Sequence, residues 1–137
     1  MRRRVFLDTN VLVYAYSLDA RAERARNLLG EGGVVGAQGL NEFASVARRK
    51  LAMSWAEVRS ALNAITLVCP EIEPLTAETQ SRAVDLAEKH GFSIFDSSML
   101  AAALSANCTA FLSEDLHDGM LIEGRLRIED PFRATRV

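Results

Sequence analysis

The stretch Val5-Phe6-Leu7-Asp8-Thr9-Asn10 joins three apolar residues to an acid, a hydroxyl and an amide. Val5 to Leu7 are typical of a short buried strand, and a helical pattern of apolar residues follows from Val11. Asp8 therefore falls at the carboxyl end of a predicted strand. Because ligand sites in open α/β sheets collect at the carboxyl ends of strands, this carboxylate is a candidate site residue.

The chain has 137 residues and a formal net charge of -2, which suits one globular domain spanning 1–137. Such a chain is not a general polyanion binder, so a nucleic-acid role needs a local basic face or a metal that bridges acids to phosphate. No apolar run reaches the ~18 residues of a membrane helix, and the basic start does not lead into a signal peptide. We therefore expect a cytoplasmic protein without membrane contact. Cys69 and Cys108 lie among apolar residues and are predicted to be buried free thiols.

Segments typical of strands alternate with segments typical of helices, which predicts an α/β fold with a largely parallel sheet covered on both faces. Asp19 is expected to cap one helix, and Ser54 with Glu57 matches a capping box for another. Trp55 is assigned to the core or to an interface. Strands are predicted at about 5–7, 34–37 and 109–112, with weaker candidates at 67–72 and within 121–128; helices are predicted after Asp8, at about 19–29 and 40–51, from Ser54, and at about 76–90 and 94–106.

Four acids fall at predicted strand exits or helix starts. Asp8 and Asp115 follow strands, Glu42 is placed in the first turn of a helix, and Asp96 begins a helix that is apolar nearly all round. Each acid alone is more often a turn former or a helix cap than a functional group. In a parallel sheet, however, these exits and starts share one edge, so the four carboxylates can converge there.

Carboxylates that share one pocket repel one another, and a divalent cation removes that conflict. Oxygen ligands favour Mg²⁺ or Mn²⁺, whereas no His or Cys cluster favours zinc. Such a metal activates a water and neutralises a phosphodiester oxygen, so the predicted chemistry is phosphodiester hydrolysis. Thr9, Asn10 and Ser113 are expected to orient acids or waters, and Asp118 is a further supporting candidate. His117 is not needed as a base.

Four motifs resemble those of PIN-domain ribonucleases, in the same order along the chain. They are Leu7-Asp8-Thr9-Asn10-Val11-Leu12, Asn41-Glu42-Phe43, the acid within 95–103, and Ser113-Glu114-Asp115. The similarity covers essentially the whole chain, and the size is similar to that of the toxin half of VapBC-type toxin–antitoxin pairs. The resemblance implies a three-layer α/β/α sandwich, Mg²⁺- or Mn²⁺-dependent cleavage of RNA, homodimers, and inhibition by a cognate antitoxin protein.

The resemblance also implies roles for particular residues. The fourth acid is open among Glu114, Asp115 and Asp118, and Asp115 matches best because the motif places its acid two residues after a Ser or Thr. The residues that carry over are the acids Asp8, Glu42, Asp96 and Asp115, with Thr9 and Ser113 as polar support.

Other functions remain open from the sequence. A PIN-like domain could hold RNA or a protein without cleaving it, since intact acids do not prove turnover. An aspartyl-nucleophile phosphatase would use Asp8 to attack phosphorus, but the second acid expected two residues later is Asn10. A receiver-type signalling domain would need a lysine after Asp115, and none follows.

Overall fold

A computed structural model describes residues 3–133. Within this part there are six strands and six helices; each of the first three strands is followed by two helices, and the last three strands follow one another. The strands are β1 (Val5–Leu7), β2 (Val35–Gly36), β3 (Ile72–Glu73), β4 (Ala110–Leu112), β5 (Leu121–Ile122) and β6 (Leu126–Glu129); the helices are α1 (Thr9–Ala15), α2 (Ala22–Glu31), α3 (Ala37–Arg49), α4 (Trp55–Val68), α5 (Ala77–His90) and α6 (Ile94–Ser105).

The strands form a largely parallel sheet centred on β1 and β4. One ladder has the order β1-β4-β6-β5, and only the β5–β6 pair is antiparallel. The β2–β3 pair is parallel and lies beside β1, where Val34 bridges to Phe6. After β1, the chain adds β2 and β3 on one side of β1. It then returns, so that β4 pairs with β1 on the opposite side. The carboxyl ends of β1 and β4 flank the point of reversal, which is where open α/β sheets bind ligands.

Helices cover both faces of this sheet, which confirms the three-layer α/β/α arrangement. Side chains alternate along β1 and β4, so Phe6 stacks on Phe111 on one face while Leu7 lies beside Leu112 on the other. Helices α5 and α6 bury one core with Phe6, and helices α1 to α4 bury the other core with Leu7. Two cores on opposite faces hold β1 in place, and with it the start of α1.

Two predicted helix starts were wrong. Asp19 does not cap α2: its Oδ1 accepts from the Arg21 backbone N–H at 2.8 Å, and Arg21 occupies the cap position without a side-chain bond to the helix. Helix α3 begins at Ala37 directly after β2, so Glu42 lies in its second turn rather than its first. Gly39 suits this helix because an added Cβ would lie only 3.0 Å from Cε of Met99. The missing side chain lets α3 approach α6 closely.

The expectations for 67–72 and for Trp55 were also wrong in part. Helix α4 continues to Val68, and only Ile72 and Glu73 form a strand, because only they pair with β2. Trp55 is 62% exposed under the Arg48 guanidinium, so it does not belong to the core of this chain.

Other local predictions are confirmed. The capping box of Ser54 and Glu57 is present. Cys69 and Cys108 are free and buried. None of the helices within 3–133 combines the length and the apolar character needed to cross a bilayer.

Candidate active site

Asp8 lies where β1 ends and caps the first turn of α1. Its Oδ1 accepts from the Thr9 backbone N–H at 2.8 Å, and its Oδ2 accepts from the Ser113 hydroxyl at 2.8 Å. The residue is only 8% exposed. A buried strand followed at once by a cap residue therefore fixes both the backbone and the carboxylate of Asp8.

Glu42 reaches the same place from α3. The Thr9 hydroxyl donates to Glu42 Oε2 at 2.8 Å, and the Gln38 amide donates to Oε1 at 3.3 Å. Thr9 thus contacts two acids, Asp8 through its backbone and Glu42 through its side chain. Glu42 is half-buried, on the face of α3 that Gln38 shares one turn earlier.

Asp115 joins from the segment that follows β4. The Ser113 hydroxyl, which donates to Asp8, also accepts from the Asp115 backbone N–H at 3.2 Å. The Asn10 amide donates to Asp115 Oδ2 at 3.1 Å. An unbroken hydrogen-bonded chain therefore links Glu42, Asp8 and Asp115 through Thr9 and Ser113. We call this set of residues, with Asn10, the acid network.

Asp96 lies beside the acid network in the first turn of α6. The Ser93 hydroxyl caps that helix by accepting from the Asp96 backbone N–H at 3.0 Å. The Asp96 side chain is coupled to the network by charge, since Asp115 and Glu42 both raise its pKa. The four predicted acids thus come from four separate segments of the chain to one edge of the sheet.

Burial and mutual repulsion disfavour the ionised form of Asp8. Burial raises its pKa to about 6, hydrogen bonds from Ser113 and Thr9 oppose the rise, and the charges of Asp96 and Asp115 add to it. The pKa of Asp96 is raised chiefly by burial, with the Ser93 hydrogen bond acting against the rise. The site therefore gains stability from any cation that neutralises it.

The chemistry of the acid network fits a hard divalent cation. The side-chain atoms of the network that could bind a metal are oxygens, which such cations prefer. Oδ1 of Asn10 is buried without a hydrogen-bond partner in the described structure. Within residues 3–133, however, no three His, Cys, Asp or Glu side chains are grouped so as to hold an ion. The carboxylates instead accept hydrogen bonds from Thr9, Ser113 and Asn10. Binding of a metal ion would replace some of these hydrogen bonds by bonds to the metal.

The three acids that follow β4 have different partners. Asp115 contacts Asn10, whereas Glu114 accepts from the Tyr14 hydroxyl and the Arg21 guanidinium. Asp118 accepts from the Asp130 backbone N–H and pairs with Arg133, so these contacts join it to the end of the described chain and not to the acid network. The contacts favour Asp115 over Glu114 and Asp118 as the fourth acid.

Sequence reasoning missed three residues around the site. Ser93 stands three residues before Asp96, a spacing typical of helix caps that the sequence alone could have shown. Gln38 stands one helical turn before Glu42, and the two side chains contact each other. A helix predicted to start at Ala37 would have indicated this contact. Arg21 had no such signal, because its contact with Glu114 spans 93 positions.

A cleft in the described part of the chain lies away from these acids. It encloses about 870 Å³ and is lined by residues such as Arg3, Arg4, Glu71 and Glu129, with none of the four predicted acids. Two of its basic residues form ion pairs, Arg3 with Glu129 and Arg4 with Glu71. Volume alone therefore does not identify the site; the charge-coupled acids do.

A three-layer sandwich with charge-coupled acids at the reversal point of a parallel sheet defines an α/β protein with a candidate metal-dependent active site. The sequence-family model of the PIN domain matches residues 5–117 of this chain. The chain therefore belongs to the PIN-domain family. No curated protein sequence matches it.

Solved structures share the fold. The VapC20 toxin of Mycobacterium tuberculosis, described as cleaving the sarcin–ricin loop, superposes with a TM-score of 0.67 at 21% identity, over 88% of this chain and 98% of that one. A toxin–antitoxin complex from Klebsiella pneumoniae gives 0.71 at 17% identity, over 93% and 97% of the two chains. VapBC2 from Rickettsia felis, bound to a DNA fragment from its promoter, superposes with a TM-score of 0.65 at 18% sequence identity. The match covers 92% of this chain and 98% of that one.

Proposed function

We propose that the protein is a metal-dependent endoribonuclease and the toxin of a VapBC-type toxin–antitoxin pair. The observation that carries this proposal is the acid network: Glu42, Asp8 and Asp115 are joined through Thr9 and Ser113, with Asp96 coupled to them by charge. Membership of the PIN-domain family and the likeness to toxin structures support it.

Asp8, Glu42, Asp96 and Asp115 would hold Mg²⁺ or Mn²⁺. When bound, such an ion supplies an activated water and neutralises a phosphodiester oxygen. Thr9 and Ser113 keep the carboxylates of Glu42 and Asp8 in place through hydrogen bonds of 2.8 Å each.

Asp8 must lose its proton before it can act as a ligand. Because its pKa lies at about 6, it is mostly ionised at neutral pH but largely protonated in mild acid. Because protons and the cation compete for Asp8, the metal concentration needed for cleavage should rise as the pH falls below about 6.

The partners follow from the same proposal. The substrate is RNA, and the inhibitor is a cognate antitoxin protein that places a cation, such as an Arg side chain, among the acids. The toxin acts as a homodimer in the cytoplasm. Light scattering on the purified protein tests the dimer, and co-purification with the product of a neighbouring reading frame tests the antitoxin.

The test of the activity is cleavage of a mixed pool of single-stranded RNA with and without Mn²⁺ or Mg²⁺. The wild-type protein should cleave only with metal, and Asp96→Asn should fold but cleave at least about 100-fold more slowly, as expected for a lost metal ligand. Asp118→Asn is the matched control and should cleave at the wild-type rate. Full activity of Asp96→Asn, or metal-independent cleavage, would reject the proposal.

A second candidate is a domain that binds RNA or protein without cleaving. The observation in its favour is that no three carboxylates within 3–133 are grouped to hold an ion. A domain of this kind should bind the RNA pool with the same affinity with and without metal. Neither the wild-type protein nor any variant should cleave the RNA.

A further inference from the structure

Phe95 is a large apolar side chain that the fold leaves on the surface. It is 66% exposed and belongs to neither of the two apolar cores. The residues that follow it in α6, from Ser97 to Leu104, are all buried. Packing within this chain does not explain the exposure of this aromatic ring at the start of a helix whose middle is buried.

Phe95 stands at the edge of the proposed active site. It directly precedes Asp96, so the two Cα atoms are about 3.8 Å apart across the peptide bond. The hydrogen bond from the Asp96 backbone N–H to the Ser93 hydroxyl fixes this first turn of α6. Phe95 and Asp96 therefore share the first turn of α6, whose backbone position is fixed beside the proposed ion site.

We propose that Phe95 stacks on an unpaired base of single-stranded RNA, next to the phosphodiester held at the acid network. This inference rests on the proposed nuclease function and adds to it a residue that contacts a base of the substrate. Proteins that recognise single-stranded RNA stack its unpaired bases on aromatic side chains, whereas bases in a duplex are not available for such stacking. The protein should then prefer unpaired segments over duplexes.

A second copy of the chain is a less suitable partner for Phe95. A symmetric contact through this residue would bring Asp96 and its neighbours Glu42 and Asp115 close to the same three acids of the other copy. Like charges placed together oppose association. A base offers a neutral aromatic face, and the phosphate beside it requires a cation in the same pocket.

The first experiment compares cleavage of short single-stranded oligoribonucleotides by Phe95 variants. Phe95→Trp should retain activity, while Phe95→Ala and Phe95→Leu should lower kcat/KM by about 10- to 100-fold, the range expected for one stacked base. Leu67→Ala is the matched control, because Leu67 is 82% exposed on α4 and should not contribute.

The second experiment removes the base instead of the ring. Oligoribonucleotides with one abasic position, moved along the sequence, should reveal one position at which wild-type cleavage drops to the level of Phe95→Ala. Phe95→Ala itself should be insensitive to the abasic change at that position. Equal losses in both proteins, or a Phe95→Leu variant as active as the wild type, would overturn the stacking proposal.

A binding measurement separates this inference from the nuclease proposal. In the Trp55→Phe background the chain has no other tryptophan, so Phe95→Trp provides a single reporter at the site. Oligoribonucleotide should quench its fluorescence, and duplex RNA should not. Quenching without cleavage would reject the nuclease alone. Absence of quenching, or a changed oligomeric state in Phe95→Ala, would reject the stacking proposal whether or not the protein cleaves RNA.

Discussion

At the scale of single residues, Asp8 carries the largest electrostatic cost in the site. Its carboxylate is almost fully buried, and its pKa of about 6 means that the folded protein resists the ionised form that a metal ligand requires. Residues that destabilise the free protein in this way are typical of functional sites.

Replacement of Asp8 by Asn should therefore stabilise the metal-free protein at neutral pH. Asn caps helices as well as Asp does, and it removes a buried charge whose raised pKa corresponds to at most about 3 kcal/mol. Urea unfolding in EDTA measures the difference. Asp85→Asn on the exposed side of α5 is the control and should change stability by less than about 0.5 kcal/mol. A clear loss of stability in Asp8→Asn would show that the carboxylate has a structural role.

The pH dependence of this difference has a definite sign. Because the folded pKa of Asp8 lies above its ordinary value of 3.8, the folded state binds more protons than the unfolded state between about pH 4 and pH 6. The contribution of Asp8 to stability should fall as the pH rises through that window and stay constant above it. Melting temperatures of wild type and Asp8→Asn in EDTA should coincide near pH 4 and diverge by pH 7. A constant gap would contradict the burial effect.

At the scale of elements, Arg21 ties α1 and α2 to the segment that follows β4. Its guanidinium donates to both oxygens of Glu114 at 2.6 and 2.8 Å, pairs with Asp19, and lies 4.2 Å from the centre of the Tyr14 ring. The Tyr14 hydroxyl also donates to Glu114. Since Glu114 is next to Asp115, these contacts fix the approach of the fourth acid.

Loss of the Arg21 contacts should impair catalysis more than stability. We expect Arg21→Gln to lower cleavage several-fold by raising the KM for metal, while the partly exposed Arg21–Glu114 ion pair contributes only about 1 kcal/mol to the free energy of unfolding. Ser54→Ala is the matched control: it removes the α4 capping box, costs about 1 kcal/mol, and should leave cleavage unchanged. Equal activity of the two variants at equal stability would contradict a positioning role for Arg21.

Sequence patterns predicted most elements because the signals were local. The apolar run before Asp8, the capping box at Ser54 and the mainly apolar 94–106 segment each encode their own structure. The start of α3 was missed because Gly39 is accommodated by tertiary contact with Met99, which no local pattern reports. The 67–72 segment was misjudged because strand formation there depends on pairing with β2.

At the scale of the whole molecule, the reversal of strand order between β1 and β4 creates the site. Two apolar cores hold these strands, so Asp8 and Ser113 meet although 105 positions separate them. The sequence indicated that acids would gather at one edge. It also indicated that Thr9 and Ser113 would orient acids, but not which acid each hydroxyl contacts, because both hydrogen bonds join distant segments.

The most direct test of the shared acid site is a calorimetric titration of Mn²⁺ into the purified protein and two matched variants. The account predicts that wild type and Asp118→Asn bind Mn²⁺ alike, while Asp115→Asn binds at least about tenfold more weakly because it loses a ligand. Unchanged affinity in Asp115→Asn, or equal losses in both variants, would contradict the assignment of the acid network as the metal site.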